Sequence, residues 1–223
     1  VDLDPQGNLS EYLGYVPDNM PTITELLLAA VQGQTLDPAE AIHENDESVG
    51  YIPANIKLSG AELFLAQAMF REQMLKRVLS SPSLLSYNYI LIDCLPSLGG
   101  LLSNALVASN SIIVPVQAQK FSLSGLEDLM AIYRTVKEQA NPSLSIAGVL
   151  LTMVDRTSMA REVENVLREQ YPDEMFDTVI SRSVEATNST YEQKTLINTK
   201  GSKLGEQYKA VVKELWEKSH YED

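Results

Sequence analysis

The sequence predicts an α/β protein built on a doubly wound, mostly parallel sheet. Three observations carry that expectation. Tyr89–Asp93 is a short, continuous apolar run, as strands buried on both faces of a parallel sheet read, and further strands recur at Ser111–Val116, Ile146–Met153 and Phe176–Ile180. Between them lie stretches with helical periodicity, and strands alternating with helices imply parallel crossovers. Finally, two runs put an acid at the mouth of an apolar stretch and follow it with Pro and Gly: Asp2-Leu3-Asp4-Pro5-Gln6-Gly7-Asn8 and Ile92-Asp93-Cys94-Leu95-Pro96-Ser97-Leu98-Gly99. Open α/β sheets present ligand-facing residues there, beyond the C-terminal ends of their strands.

The elements follow in order. Val1–Asp4 reads as the stub of a strand. Ile23–Val31 is a helix with Thr22 as N-cap and Gly33 past its end. Residues 34–50 are polar and acidic and read as a loop, and Val49–Ile52 as a strand. A long helix is expected from Ser59 to about Leu79, with Leu63, Ala66, Met69 or Phe70, Met74 and Val78 on a 3.6 period. The buried strand Tyr89–Asp93 leads to a helix over Leu101–Ala108. Ser111–Val116 is the next strand, Ser124–Gln139 an amphipathic helix closed by Asn141-Pro142, and Ile146–Met153 a strand. A helix over Ala160–Gln170, a strand over Phe176–Ile180 and a helix over Lys203–Lys218 complete the chain. A sheet of this kind has its phosphate-binding strand near the middle, and that strand with its Gly-rich loop is expected upstream of Val1. Residues 1–223 then form one domain that is incomplete at its N-terminus, with exposed sheet edges.

The 223 residues suffice for a sizeable core, and 44% apolar with 21% charged residues is a globular balance. No apolar run is long enough for a membrane span, and the start lacks the basic region of a signal peptide. The single cysteine, Cys94, excludes an internal disulfide and suits a reducing cytoplasm. Beside Asp93, it is expected to be a small buried residue, with no base in view for a catalytic thiol. His43 and His220 are far apart in sequence, and nothing suggests zinc. A net charge of −13 argues against a surface coated with nucleic acid. Residues 1–60 carry ten acids against Lys57 alone, whereas residues 181–223 carry seven bases and seven acids. Any polyanion contact belongs to that C-terminal part.

The two acidic motifs suit phosphoryl transfer. Such chemistry needs a water held in line and charge managed on the transferred phosphoryl. Asp4, just past a strand end, can orient the water, and Gly7 allows close backbone approach or a positive φ. Asp93 can reach Mg²⁺ through its water shell. Pro96, Ser97 and Gly99 form a loop able to respond to a γ-phosphate.

Together "DLDPQGN", "YNYILIDCLPSLG", "NALVASNSIIVPVQ", "NPSLSIAGVLLTMVDRT" and "ISRSVEATNST" resemble, in order and spacing, the ParA family of DNA-partitioning ATPases, in its plasmid and conjugative-element form and related to the Soj group. The resemblance spans nearly the whole chain. It implies ATP and Mg²⁺ as cofactors, Asp4 as the residue supporting hydrolysis and Asp93 as the Mg²⁺-linked Walker B acid. It places Asp2, Pro5, Gln6, Gly7, Pro96, Ser97, Gly99 and Arg182 about the nucleotide. It further implies an ATP-closed homodimer, DNA binding without sequence preference, stimulation by a ParB-like partner, and a cytoplasmic, nucleoid-associated protein.

The chain departs from the family in several places. The K-G-G-x-G-K-T loop is absent, Leu95 stands where Pro or Met is usual, and one residue common between Asp155 and Arg156 is missing. Ser181 replaces a Pro and Glu185 an Arg of the DNA-binding region. Lys194, Lys200 and Lys203, with Arg182, remain as candidates for DNA phosphate contacts. The last helix puts Leu204, Tyr208, Val211, Val212, Leu215 and Trp216 on one side. MinD-type relatives bind membranes through such a helix, but the mixed charges here and the Glu222-Asp223 end favour packing on the sheet. A non-catalytic docking module and a MinD-like membrane-cycling ATPase are the alternative readings.

Overall fold

The structure is a computed structural model that describes residues 1–220, without the side chains of 219 and 220; Glu222-Asp223 lies outside the described residues. The chain divides into two units, Val1–Ser109 with Val136–Pro142, and Asn110–Thr135 with the chain from Ser143 onward. The expected α/β class with parallel strands is found in both.

In the first unit, β1 (Asp2–Leu3) pairs in parallel with β4 (Asp93–Cys94), Asp2 opposite Asp93 and Leu3 opposite Cys94. Val1 brackets the partner strand, its N donating to Leu91 O at 2.7 Å and its O accepting from Asp93 N at 2.9 Å. On the other side, Asp2 N donates to Ile52 O at 3.1 Å. The strand expected over Tyr89–Asp93, buried on both faces, is not formed: the ladder is limited to Asp93–Cys94, and Leu91 is 77% exposed. In this register the residues opposite Tyr89–Leu91 would precede Val1, so no strand within residues 1–220 lies alongside them. Cys94, expected to be buried, is exposed although it pairs with Leu3.

The helix α1 (Asn8–Tyr12) follows β1, and α2 (Ile23–Val31) begins with a capping box. Thr24 N donates to Thr22 Oγ1 at 3.2 Å, while Thr22 N and Oγ1 donate to Glu25 Oε2 at 2.9 and 2.6 Å. Gly33, with φ +71°, ends it as expected. Residues 34–50 are more ordered than a loop: a short 3₁₀ turn covers Pro38–Ala41, and β2 (His43–Glu44) pairs antiparallel with β3 (Gly50–Tyr51). His43 is a structural residue, bonded to Asp18 Oδ2 at 3.1 Å and edge-on to Tyr15.

The long helix expected over Ser59–Leu79 is broken into α3 (Ala61–Leu65) and α4 (Met74–Leu79). At the break Phe70 takes φ +54°, and Met69 and Phe70 face outward, off the expected apolar stripe. The cause is Asn104 on α5 (Gly100–Ala108). A continuous helix would bond Leu75 N to Arg71 O. Here Leu75 N donates to Asn104 Oδ1 at 3.0 Å, and Asn104 Nδ2 donates to Arg71 O at 2.9 Å. A buried amide has inserted into the ladder, a recognised cause of sharp helix breaks. Leu3, Ile23, Leu27, Leu58, Leu75 and Leu101 close the core.

In the second unit, β5 (Ser111–Gln117) pairs in parallel with β6 (Ser145–Thr152), with a bulge opposite Ile112/Ile113. The helices are α6 (Phe121–Gln139), whose last turn belongs to the first unit, α7 (Ser158–Gln170), α8 (Val184–Glu192) and α9 (Lys203–His220). The strand expected over Phe176–Ile180 is reduced to isolated pairings, Phe176 N to Val149 O at 3.0 Å and Ile180 N to Leu151 O at 2.9 Å. Between them the Glu214 carboxylate takes the amides of Asp177 and Thr178 at 2.8 and 2.9 Å, which a ladder would have used. The Phe176 ring packs on Gly148 so closely that any Cβ there would collide with it. Leu150, Phe176, Ile180, Leu204 and Val211 form this unit's core, so α9 packs on the sheet as expected.

Candidate functional site

The first unit brings Asp2, Asp4, Gly7 and Asp93 together at the ends of β1 and β4. Asp2 is 1% exposed and spends both carboxylate oxygens on the protein. Its Oδ1 accepts from Asp4 N at 2.9 Å; its Oδ2 accepts from Ser10 N at 2.9 Å and Ser10 Oγ at 2.7 Å. Ser10 Oγ in turn accepts from Ala54 N at 2.9 Å. Asp2 therefore holds the loop in place through all three of these bonds.

The loop it holds is a tight one. Asp4 Oδ1 accepts from Gln6 N and Asp4 O from Gly7 N, both at 2.9 Å, folding Pro5 and Gln6 into a turn. Gly7 needs its missing side chain: its φ is +65° and a Cβ would stand 3.1 Å from Ala54 O. Among the described residues Asp4 Oδ2 has no protein partner and stands as a free acceptor beside the loop.

The Asp93 carboxylate accepts no protein hydrogen bond among the described residues. Burial, then the nearby charges of Asp2 and Asp4, push its pKa above the ordinary carboxylate value. A neighbouring cation would reverse that shift. No group of three or more His, Cys, Asp or Glu side chains is placed to cage a metal among the described residues. A carboxylate without a protein partner suits Mg²⁺, which keeps several waters and shares its remaining ligands with phosphate. Pro96 and Ser97 are exposed in the following loop, and Gly99 is the N-cap of α5. The adjacent Cys94 thiol is pushed up to about 11 by the surrounding protein and by Asp93, which makes it a poor nucleophile.

Arg182 lies in the second unit, where its N donates to Val154 O at 2.9 Å and its charge helps hold the Asp155 carboxyl low, after the Thr157 hydrogen bonds that contribute most. Glu185 is engaged locally, accepting from Ser202 Oγ at 2.5 Å and from Ser183 Oγ at 3.5 Å. Lys194, Lys200 and Lys203 are exposed and form no ion pair among the described residues. Along α9, by contrast, Lys209 pairs with Glu206 and Lys213 with Glu217, while Lys218 bonds the carbonyls of Asp173 and Glu174. No helix of the described residues is long and apolar enough to cross a membrane.

Three residues beside the site carry no signal that the sequence alone could show. Ser10 and Asn104 each act through contacts distant in sequence. Glu62 sits in the first turn of α3, where an acid reads as an ordinary helix-start residue, yet its Oε1 accepts from Gly100 N at 2.7 Å and Leu101 N at 3.3 Å.

Comparison with known proteins agrees with this geometry. Residues 1–146 match the AAA domain family. The chain is 38% identical over 199 residues to the sporulation initiation inhibitor protein Soj of Bacillus subtilis, covering 88% of this chain and 77% of that protein. It is 36% identical over 220 residues to the chromosome partitioning protein ParA of Myxococcus xanthus, covering 96% and 75%. Among solved structures, the cobyrinic acid a,c-diamide synthase of Mycobacterium smegmatis with bound ATP analogue and magnesium superposes with a TM-score of 0.73 at 33% identity, covering 86% of this chain and 81% of that one. With two carboxylate motifs converging at the ends of paired parallel strands and relatives of this identity along most of its length, the chain belongs to the ParA/Soj family of partitioning ATPases.

Proposed function

We propose that the protein binds Mg-ATP at the β1–β4 strand ends, dimerises in that state, binds DNA without sequence preference, and hydrolyses ATP under stimulation by a ParB-like partner in the cytoplasm, at the nucleoid. The observation that carries this is the division of labour among three acids: Asp2 is consumed by the loop, while Asp4 Oδ2 and the Asp93 carboxylate are left for ligands. Asp93 would hold the water shell of Mg²⁺, whose charge would offset the repulsion from Asp2 and Asp4. Bound magnesium would supply neutralisation of charge developing on the phosphates. Asp4, fixed by its turn, would orient the attacking water. The Gly-rich phosphate loop would come from sequence upstream of Val1, continuing β1 alongside Tyr89–Leu91. Lys194, Lys200 and Lys203 are the cations free to meet DNA phosphates.

Mg-ATP binding by calorimetry tests this, on residues 1–223 and on the protein extended upstream as its gene encodes it. Binding by the extended protein, lost in Asp93→Asn and kept with slowed hydrolysis in Asp4→Ala, is the expected result. Binding by neither form would overturn it in favour of a docking module.

A further inference from the structure

We propose that Glu62 is a positioning residue for the loop that senses the γ-phosphate, an inference that rests on the ATPase reading above. Residues 95–99 run directly into α5, so where α5 begins decides where the loop ends. Glu62, on α3, reaches across to that point from more than thirty residues away, and its Oε1 accepts from Gly100 N at 2.7 Å and Leu101 N at 3.3 Å. No side chain of the loop itself caps α5. The first-turn amides of a helix carry partial positive charge and want an acceptor. Here a carboxylate from another element supplies it.

The glycines record how close that approach is. A Cβ on Gly99 would collide with Glu62 Oε1, and one on Gly100 would stand 2.8 Å from Oε2. Gly99 has φ −95° and ψ −163°, a conformation open to any residue. A side chain there would therefore displace the Glu62 carboxylate from its present position without straining its own backbone. Asn104 holds the same helix one turn on, with Nδ2 donating to Gly100 O at 2.9 Å and to Arg71 O. The start of α5 is fixed from two sides, and Pro96–Gly99 is the segment left to move between it and Asp93.

A residue that fixes the loop's anchor should affect the response to the third phosphate more than nucleotide binding as such. In the upstream-extended protein, Glu62→Ala is expected to lower kcat about tenfold and to cut the preference for ATP over ADP several-fold, with ADP affinity unchanged. Glu62→Gln keeps an acceptor oxygen and should recover most of both. Amide hydrogen exchange at Gly100 and Leu101 should accelerate in Glu62→Ala, with or without nucleotide. Gly99→Ala should impair the unsubstituted protein and be milder in the Glu62→Ala background, a coupling that independent sites would not show. Parallel losses of ADP and ATP affinity, an unchanged kcat, or additive effects of Gly99→Ala and Glu62→Ala would overturn the proposal. If the unsubstituted protein fails to bind Mg-ATP, the ATPase reading itself fails and this inference with it; normal binding with no effect of Glu62→Ala removes this inference alone.

Discussion

Asp2 and Asp93 stand opposite each other in the same register yet answer to different forces. Asp2 is buried and accepts three hydrogen bonds. Removing one member of such a set strands the others, and charged acceptors make the larger contributions. Asp2→Ala is therefore expected to destabilise the fold by about 3 kcal/mol, read as a lower midpoint in urea. Asp93→Asn should do the opposite. Its folded pKa is raised, so the native state holds its proton at pH values where the unfolded chain has lost it. By linkage, stability then falls as pH rises from the ordinary Asp range through the raised value, and the cost persists above it. Asp93→Asn should melt slightly higher than the unsubstituted protein at neutral pH, with the gap closing below about pH 4. A gap that widened in acid would contradict this sign. If Asp93 holds the Mg²⁺ water shell as proposed, the same substitution should also abolish Mg²⁺-dependent nucleotide binding, and a stabilised but inactive protein would be the signature of a site that gives up stability for chemistry.

At the scale of elements, helix caps and close packing decide the outcome. Thr22→Ala removes the hydroxyl's half of the α2 capping box, leaving the Thr22 amide bonded to Glu25, and should cost about 1 kcal/mol. Burial pushes the Glu25 carboxyl up, but the bonds from Thr22 outweigh it and leave the pKa low. That contribution is complete above the unfolded Glu value and is lost as pH falls through the depressed one, so the gap between Thr22→Ala and the unsubstituted protein should narrow in acid to the part owed to the Thr24–Thr22 N-cap bond. Gly148→Ala drives a Cβ into the Phe176 ring and should cost about 1–3 kcal/mol, seen as a lowered melting temperature of the second unit. These cases also show what the sequence could reveal. The α2 helix was legible to the residue because Thr22 and Gly33 are local signals. The existence of β5, β6 and α9 was legible too, although the α9 stripe is only half used: Leu204 and Val211 are buried while Tyr208, Val212 and Trp216 are exposed. The break at Phe70 was not, because its cause is an asparagine thirty residues away. The reduced pairing at Asp177–Thr178 was hidden in the same way, in a glutamate on the last helix. At the site, the motifs placed Asp4 and Asp93 at the strand ends where the structure has them, whereas the structural duty of Asp2 needed Ser10 and Ala54, which nothing in the sequence links to it.

On the scale of the molecule, charge is uneven along the chain. The first sixty residues carry almost no bases, and Lys194, Lys200 and Lys203 lie in the second unit. DNA affinity should be modest and strongly salt-dependent, because each phosphate neutralised releases counterions. Replacing Lys194, Lys200 and Lys203 together by Ala should weaken binding equally across sequences and reduce the slope of log K against log salt by about 0.9 for each phosphate left unneutralised. An unchanged slope would place the DNA surface elsewhere. The elbow at Phe70 has a reach beyond its own neighbourhood as well. It lets two short helices meet one helix at separate points, Glu62 at its first amides and Arg71 and Leu75 at Asn104. Each residue of a helix turns the next by about 100°, so the phase between those meeting points is counted out by the residues in the elbow. Deleting even one exposed residue there, such as Met69, would swing one attachment away while leaving the other in place. A surface segment that looks free to vary in composition is thereby held to a fixed length.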